Sequence, residues 1–285
     1  ASKGEGLGNQ FLGNIRNTDA ILHVLRCFDD GNVIHVDGSV NPIRDKEIID
    51  TELQIKDLES VDSKIAKTTR AAAAGDNAAK KTFEILKTYK NHLESGQNAR
   101  TAPVEDADKE AVKDLQLLTA KPVMYVCNVD EQSVLTGNDY TKLVADAVKD
   151  EDAEILIICA KIESEIAELE RDDQIMFLEE LGLKESGVGR LITSAYRLLH
   201  YATYFTAGKK EVRAWTITRG MKAPQAAGVI HSDFEKGFIR AEVIHYEDYI
   251  QLKSEAACRE NGKLNVEGKE YVVQDGDIMH FRFNV

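Results

Sequence analysis

Three short apolar segments constrain the fold of this chain more than any other feature of its sequence. They are Ala20–Phe28, Pro122–Asn128 and Ile155–Ala160. Each is rich in β-branched or aromatic residues, which is typical of strands in a parallel sheet that is covered on both faces. Helical patterns separate them, including residues 139–149 and 164–181. This alternation predicts an α/β layer fold, with ligands bound at the carboxyl ends of the strands.

A long charged stretch between the first two strands has the pattern of two helices. The first helix begins at Pro42, which suits a first turn. Its apolar stripe has heptad-like spacing and consists of Ile48, Ile55, Leu58 and Ile65. After a break at Gly75-Asp76-Asn77, the second stripe consists of Ala79, Phe83, Leu86 and Leu93. Two antiparallel helices would bury these stripes against each other. With a third short helix over 105–118, we expect residues 42–119 to form a coiled-coil insertion that serves as a spacer or docking surface.

The last third of the chain, residues 202–285, has a pattern of short strands. Val212–Thr218 alternates like a half-buried strand, and residues 239–245 form another. Residues 271–273 and 278–283 flank an Asp-Gly dipeptide, which is typical of a hairpin turn. With one helical turn at 224–230, these strands predict a small α+β domain. The remaining residues, 1–41 and 120–201, are assigned to the α/β domain.

The composition is that of a globular protein with an uneven distribution of charge. The 285 residues carry a net charge of −13, yet residues 202–285 contain 12 basic and 12 acidic side chains. An acidic body repels phosphate backbones, so any RNA contact is expected in local basic patches of the last third. The basic residues there include Lys209, Lys210, Arg213 and Arg240. No apolar run has the roughly 18 residues that a membrane span needs. The four cysteines are widely spaced, which predicts reduced thiols and no metal site.

Two loops at strand ends are candidates for a base-binding pocket. Asn128-Val129-Asp130-Glu131 follows the second strand, where guanine-specific switch proteins hold Asn-Lys-x-Asp. The longer Glu131 carboxylate should no longer favour guanine, and it can accept a hydrogen bond from the N6 amine of adenine. Cys159-Ala160-Lys161 ends the next strand, where small residues let backbone N–H groups approach a base. Either loop alone is also compatible with an ordinary turn.

His35 follows the first strand and has two possible roles. An imidazole near a phosphate site can orient or activate water, because its pKa is close to the operating pH. A histidine between apolar residues is more often a hydrogen-bonded structural residue. The spacing of the sequence does not decide between these roles.

Several motifs resemble those of the YchF family, which are Obg-related P-loop nucleotide hydrolases. The resemblance covers the whole chain. The matching segments are ASKGEGLGN at 1–9, RCF at 26–28, IHV at 34–36, NVDE at 128–131, IESEIAEL at 162–169, YFTAG at 204–208, EVRAWT at 211–216, HSDFEKGFIRAEV at 231–243 and QDGDIMHFRFNV at 274–285.

The resemblance implies a P-loop nucleotide-binding domain with a helical insertion, followed by a TGS domain of β-grasp fold. It implies that Gly4, Gly6 and Gly8 belong to the second switch loop and that His35 is the catalytic residue. It also implies that the loops of Asn128–Glu131 and Cys159–Lys161 bind the base, with ATP preferred over GTP. The implied cofactor is Mg²⁺ bound with the nucleotide, and the implied partner is the ribosome or its RNA. We expect a cytoplasmic protein without membrane association or sequence-specific DNA binding.

The sequence departs from the family pattern at the phosphate site. No G-x-x-x-x-G-K-[ST] motif occurs in the 285 residues, so we expect this chain to lack the P-loop segment that cradles phosphates and holds Mg²⁺. Three interpretations follow. In the first, the parent protein is an ATP-preferring hydrolase that acts as a regulatory switch. Alternatively, the chain is a ribosome- or RNA-binding module with little or no hydrolysis, or a folded remnant without independent activity.

Overall fold

The computed structural model describes residues 7–35, 38–151, 153–208 and 211–284. The chain divides into two compact units, residues 1–198 and 199–285. Within the described ranges, no helix combines the length and the apolar composition that crossing a membrane requires. The division into a nucleotide-binding domain, an insertion and a C-terminal domain stays a prediction.

The first unit alternates strands and helices, interrupted by a helical hairpin. Its helices are α1 (Leu7–Arg16), α2 (Pro42–Ala73), α3 (Asn77–Glu94), α4 (Asp106–Lys109), α5 (Asp139–Val148), α6 (Ala160–Glu168), α7 (Arg171–Glu180) and α8 (Gly187–Leu198). Its strands are β1 (Ile21–Arg26), β2 (Val123–Asn128) and β3 (Glu154–Ile158), and short 3₁₀ turns lie at Ala99–Thr101, Glu110–Leu115, Leu118–Ala120 and Glu131–Ser133.

The three predicted strands form one parallel sheet in the order β1-β2-β3, which confirms the α/β fold class. Val123–Cys127 of the central strand β2 are buried. The expectation of cover on both faces is wrong for β1, because Leu22 and Val24 are 41% and 61% exposed. In register, Arg26, Asn128 and Ile158 lie side by side at the carboxyl ends of the strands.

The helical arm is the antiparallel pair α2 and α3, joined by a turn whose Gly75 has φ +97°. A positive φ of this kind favours glycine. The predicted apolar stripe is wrong in the first half of α2, where Ile48 and Ile55 are 50% and 41% exposed. That half of α2 instead buries polar side chains, among them Lys46, Asp50, Gln54 and Asp57.

These polar residues are buried because each has a partner elsewhere in the chain. Lys46 Nζ lies 2.7 Å from carboxylate oxygens of both Asp50 and Glu151. Asp57 is fully buried, and it accepts hydrogen bonds of 2.7 Å from the backbone N–H groups of Leu118 and Thr119. The Thr119 hydroxyl donates a third bond of 2.7 Å to the same carboxylate. The base of the arm is therefore fixed to the segment that enters β2, and residues 104–117 pack along the hairpin as far as Lys64 and Lys81.

Two predicted helices are interrupted. The pattern over 164–181 corresponds to two helices, α6 and α7, and the chain is extended at Leu169 and Glu170 between them. Gln174 Nε2 donates to the carbonyl oxygens of Ile166 and Leu169 and so satisfies the end of α6. The helix expected over 105–118 is instead the short α4 followed by a 3₁₀ turn.

The second unit is an α+β fold with five strands, β4 (Tyr201–Ala207), β5 (Val212–Thr218), β6 (Phe238–Ile244), β7 (Asn265–Glu267) and β8 (Ile278–Phe283). Its helices are α9 (Ala223–Ile230), α10 (Ser232–Lys236), α11 (Tyr246–Leu252) and α12 (Glu255–Glu260). The sheet order is β5-β4-β8-β6-β7. The sequence therefore predicted β5, α9, β6 and β8 but missed β4, β7 and three helices.

The hairpin expected around Asp275-Gly276 is wrong. Strand β8 pairs with β6 and β4, whereas Val272 forms only an isolated bridge to Lys222. The Asp-Gly turn is bound to β4, because Thr203 N–H donates to Asp275 Oδ1 and its carbonyl accepts from Gly276 N–H, both at 2.7 Å.

Candidate functional site

The loops after β2 and β3 come together at the carboxyl edge of the first sheet. The Ala160 N–H, at the start of α6, donates to Asn128 Oδ1 at 2.9 Å. The Val129 N–H donates to the Ile158 carbonyl at 2.8 Å, and the Val129 side chain is buried. The Asn128 carboxamide therefore joins the two loops, and Val129 holds its own loop against the core.

A second link joins the same loops on the solvent side. Lys161 Nζ lies 2.5 Å from Glu131 Oε1, with side-chain exposures of 67% and 50%. The hydrogen bond to the Glu131 carboxylate raises the pKa of Lys161. An ion pair this exposed is weak, because water competes for both charges. A ligand that offers an N–H donor can therefore take the place of Lys161 at Glu131.

Three buried cysteines belong to the hydrophobic core of the first unit. Cys159 precedes α6 as its N-cap residue and is 2% exposed, while Ala160 is exposed at the helix start. Cys27 and Cys127, at the ends of β1 and β2, are fully buried and free. A hydrogen bond to the Cys127 thiol, together with burial, raises the pKa of Cys27. All three cysteines pack among apolar side chains of this core.

His35 is held at the start of α2. Its Nε2 lies 2.9 Å from Asp45 Oδ2, and the two side chains are 17% and 26% exposed. Asp45 Oδ1 also lies 3.3 Å from Arg44 Nη2, which donates to the Ser39 carbonyl at 2.7 Å. The contact with Asp45 therefore fixes the orientation of the His35 ring.

Two residues without a role predicted from sequence, Asn138 and Arg26, shape the loops of this edge. Asn138 caps α5 and donates from Nδ2 to the Cys27 carbonyl at 2.7 Å. Arg26 donates to the carbonyls of Phe28 at 3.1 Å and Val33 at 2.9 Å, and so folds the chain that leads to His35. The capping pattern of Asn138 followed by Thr141 was visible in the sequence. The role of Arg26 had no local signal.

The remaining candidate residues are spread over the molecule. Gly8 lies in the first turn of α1. Gly4, Gly6, Lys209 and Lys210 lie outside the described residues.

The two arginines predicted to contact RNA do not share a surface. Arg213 is on the edge strand β5 opposite Thr206, with its guanidinium 4.0 Å from the centre of the Trp215 ring. Arg240 on β6 is opposite Arg282. Because side chains alternate along strands, the register places Arg213 and Arg240 on opposite faces of the sheet.

The described residues do not form a metal site by themselves. Within ranges 7–35, 38–151, 153–208 and 211–284, no group of three His, Cys, Asp or Glu side chains is placed to hold an ion. They therefore do not provide a complete Mg²⁺ site.

Fold and site define an α/β protein with an inserted helical arm, strand-end loops joined at the carboxyl edge of its sheet, and a separate C-terminal α+β unit. A family model named YchF-GTPase_C, described as a protein of unknown function (DUF933), matches residues 201–284. Ribosome-binding ATPase YchF of Bacillus subtilis is 53% identical over 287 residues, covering 100% of this chain and 78% of that protein.

Two further comparisons agree. Ribosome-binding ATPase YchF of Escherichia coli O157:H7 is 48% identical over 285 residues, with the same shares of the two proteins covered. The solved structure of the Schizosaccharomyces pombe YchF GTPase superposes with a TM-score of 0.84 at 38% identity. It covers 99% of this chain and 77% of that one. The chain belongs to the YchF family.

Proposed function

We propose that this protein is a ribosome-associated nucleotide hydrolase that prefers ATP to GTP and acts as a regulatory switch. The observation that carries the proposal is the junction of two strand-end loops through Asn128 and Ala160, 2.9 Å apart. Its relatives are named ribosome-binding ATPases and a GTPase, which supports hydrolysis of a nucleoside triphosphate.

In this proposal the base lies against the loops of residues 128–131 and 159–161. The backbone of Cys159 and Ala160 borders the base, and Val129 keeps the first loop in place. Glu131 leaves Lys161 and accepts a hydrogen bond from the N6 amine of adenine. Guanine presents two hydrogen-bond donors. The Glu131 carboxylate is displaced by one methylene relative to that of aspartate, so it is less well placed to accept both hydrogen bonds. Selectivity for ATP then rests on the position of one carboxylate.

His35 positions the attacking water. Asp45 fixes the orientation of the imidazole through the contact at Nε2, and an imidazole placed beside the nucleotide can orient a water molecule by hydrogen bonding. The chemical task in phosphoryl transfer is mainly positioning and charge stabilisation. Mg²⁺ enters only as the ion bound with the nucleotide.

The partner in this proposal is the ribosome, reached from the cytoplasm, and no DNA sequence is read. The C-terminal unit contributes Lys209, Lys210, Arg213 and Arg240. Because Arg213 and Arg240 lie on opposite faces of the sheet, each can contribute to a different contact. Charge reversal of each arginine alone, followed by ribosome co-sedimentation, tells which face binds.

The test of the catalytic proposal is His35→Ala. It should reduce ATP turnover by about 10²- to 10⁴-fold, the usual contribution of general acid–base catalysis, while the Kd for ATP stays unchanged. The matched control is His245→Ala, which removes a histidine paired at 2.8 Å with Asp277 in the other unit. Normal turnover of His35→Ala would refute the catalytic role. Equal losses in both variants would show a general effect on folding.

A further inference from the structure

The outer end of the helical arm is positively charged in a chain of net charge −13. Residues 66–82 contain four basic side chains and one acidic one. The acidic residue, Asp76, is engaged as the N-cap of α3, where its carboxylate accepts from the N–H groups of Ala78 and Ala79. Its charge is therefore directed at the helix end.

Cations along the rest of the arm are neutralised by acidic partners. Lys56 lies 2.8 Å from Glu59, and Lys90 lies 2.7 Å from Asp62. Lys64 is paired with Asp114. These pairs leave little net field along the shaft, since each positive charge has a negative charge beside it.

Three cations near the turn of the hairpin differ from this pattern. Lys67, Arg70 and Lys80 are exposed, and none has a hydrogen-bond or ion-pair partner among the described residues. They lie within eight positions of Gly75, which is about 12 Å along the helix axes. A fourth cation, Lys81, is paired with Asp108 at 2.5 Å but is 66% exposed.

The positions of the three side chains follow from the packing of the hairpin. The buried contacts of the arm involve Val61, Ile85, Leu86 and Tyr89, with Leu58 and Ile65 partly buried. At 100° per residue, Lys67 and Arg70 point away from these contacts on α2, and Lys80 points away on α3. The tip therefore presents cations on both outward sides.

The tip is also narrow and rigidly based. Alanines occupy positions 71–74, 78 and 79 at the turn. Lys64 holds α2 to the segment 104–117 through the Ala111 carbonyl and Asp114, and the helix continues for nine residues beyond Lys64 to Ala73, which is about 14 Å. A slender projection with unpaired cations on two sides can enter a cleft whose walls carry negative charge.

We propose that this tip, formed by Lys67, Arg70 and Lys80, binds the phosphate backbone of ribosomal RNA. The inference rests on the proposed association with ribosomes and assigns it a contact surface. Unpaired, hydrated Lys and Arg side chains can bind phosphates without first breaking internal ion pairs, and binding releases counterions from the RNA. We expect contacts to phosphates rather than to bases, because residues 66–82 contain no aromatic side chain on which a base could stack.

The test compares wild-type protein with the triple variant Lys67→Glu, Arg70→Glu and Lys80→Glu. Binding to purified ribosomes, and to a short fluorescent A-form RNA duplex, is measured over a series of salt concentrations. The variant should bind both probes at least about tenfold more weakly at low salt. The slope of log K against log salt should become shallower by about 2 to 3, one unit for each lost phosphate contact. Its ATP turnover without ribosomes should equal that of wild type.

A matched control reverses three lysines that are already paired. Lys109, Lys113 and Lys142 lie 2.7, 3.2 and 2.9 Å from acidic residues three positions earlier. Reversing them changes the net charge equally and should alter the salt slope by less than about 1. Circular dichroism checks that both variants keep their helices.

The outcomes separate the two proposals. If wild type does not bind ribosomes, the proposed association fails. If wild type binds and the tip variant binds equally well, or the control loses as much affinity, the tip is not the contact. Loss of ribosome binding with unchanged RNA duplex binding would assign the tip to an acidic protein surface and overturn the RNA contact.

Discussion

Replacing Asp57 by alanine should detach the base of the helical arm from the segment that enters β2. The carboxylate is fully buried and accepts three hydrogen bonds of 2.7 Å from Leu118 and Thr119. In the alanine variant two backbone N–H groups lose their acceptor. The Thr119 hydroxyl can rotate, so it is not counted.

The magnitude follows from these two groups. A buried donor without an acceptor costs about 1 to 3 kcal/mol, which gives about 2 to 6 kcal/mol for the pair. Burial raises the pKa of Asp57, against the opposing effect of its hydrogen bonds, so the ionised carboxylate is itself disfavoured by its site. Removing the carboxylate recovers the free energy that its burial costs. Water that enters the vacated space can also accept hydrogen bonds from the two N–H groups, which further reduces the loss of stability. We expect a net loss of about 3 kcal/mol.

The assay is thermal and urea unfolding followed by far-ultraviolet circular dichroism. For a unit of 198 residues, about 3 kcal/mol corresponds to a decrease in Tm of about 6 to 12 °C. Asp57→Asn keeps one acceptor oxygen and should fall between wild type and Asp57→Ala. The control Asp62→Ala removes a half-exposed partner of Lys90 and should leave Tm unchanged. A loss below about 1 kcal/mol for Asp57→Ala would refute the anchoring role.

Three other substitutions give further tests. Burial lowers the pKa of His23 below its ordinary value of 6.5. The contribution of neutral His23 to stability is therefore present above that pH and is lost as the pH falls. In urea unfolding, His23→Gln should lose less stability than wild type between about pH 7 and pH 5. Gly187→Ala would place a Cβ 2.7 Å from Glu163 Oε1 and should reduce stability by about 1 to 3 kcal/mol. The control Gly13→Ala, within helix α1, would place a Cβ with no neighbouring atom within 4 Å and should not destabilise. Glu131→Asp should shift the ratio of ATP to GTP affinity toward GTP by about tenfold in competition binding, and an unchanged ratio would remove Glu131 from base selection.

The sheet of the first unit was predictable from sequence because its signal is local. The segments 122–128 and 155–160 became β2 and β3, and the loops that follow them meet as expected from parallel strands. The junction of Asn128 with Ala160 follows from that topology. Strand β1 was also predicted, although its partial exposure was not.

The face of α2 could not be predicted, because its partners are distant in sequence. A heptad pattern selected Ile48 and Ile55, yet the helix buries Lys46 and Asp57. Those two are satisfied by Glu151 and by the backbone at 118–119. Apolar periodicity cannot detect a polar face that is paired through tertiary contacts.

The candidate site was likewise only partly predictable. Residue types suggested Asn128 and Glu131, but the pairing of Glu131 with Lys161 depends on how the two loops approach each other. The partner of His35 is Asp45, ten positions away on the next helix, and no local pattern links them. The hairpin around Asp275-Gly276 failed for the same reason, since β4 supplies the hydrogen bonds that the turn signal assigned to a neighbouring strand.

The central claim is that the loops of Asn128 and Glu131 bind an adenine nucleotide. The most direct test is an equilibrium titration of the purified protein with fluorescent ATP, competed by unlabelled ATP or GTP. We predict saturable binding that ATP displaces at lower concentration than GTP. Preferential displacement by GTP, or the lack of saturable binding, would contradict the claim.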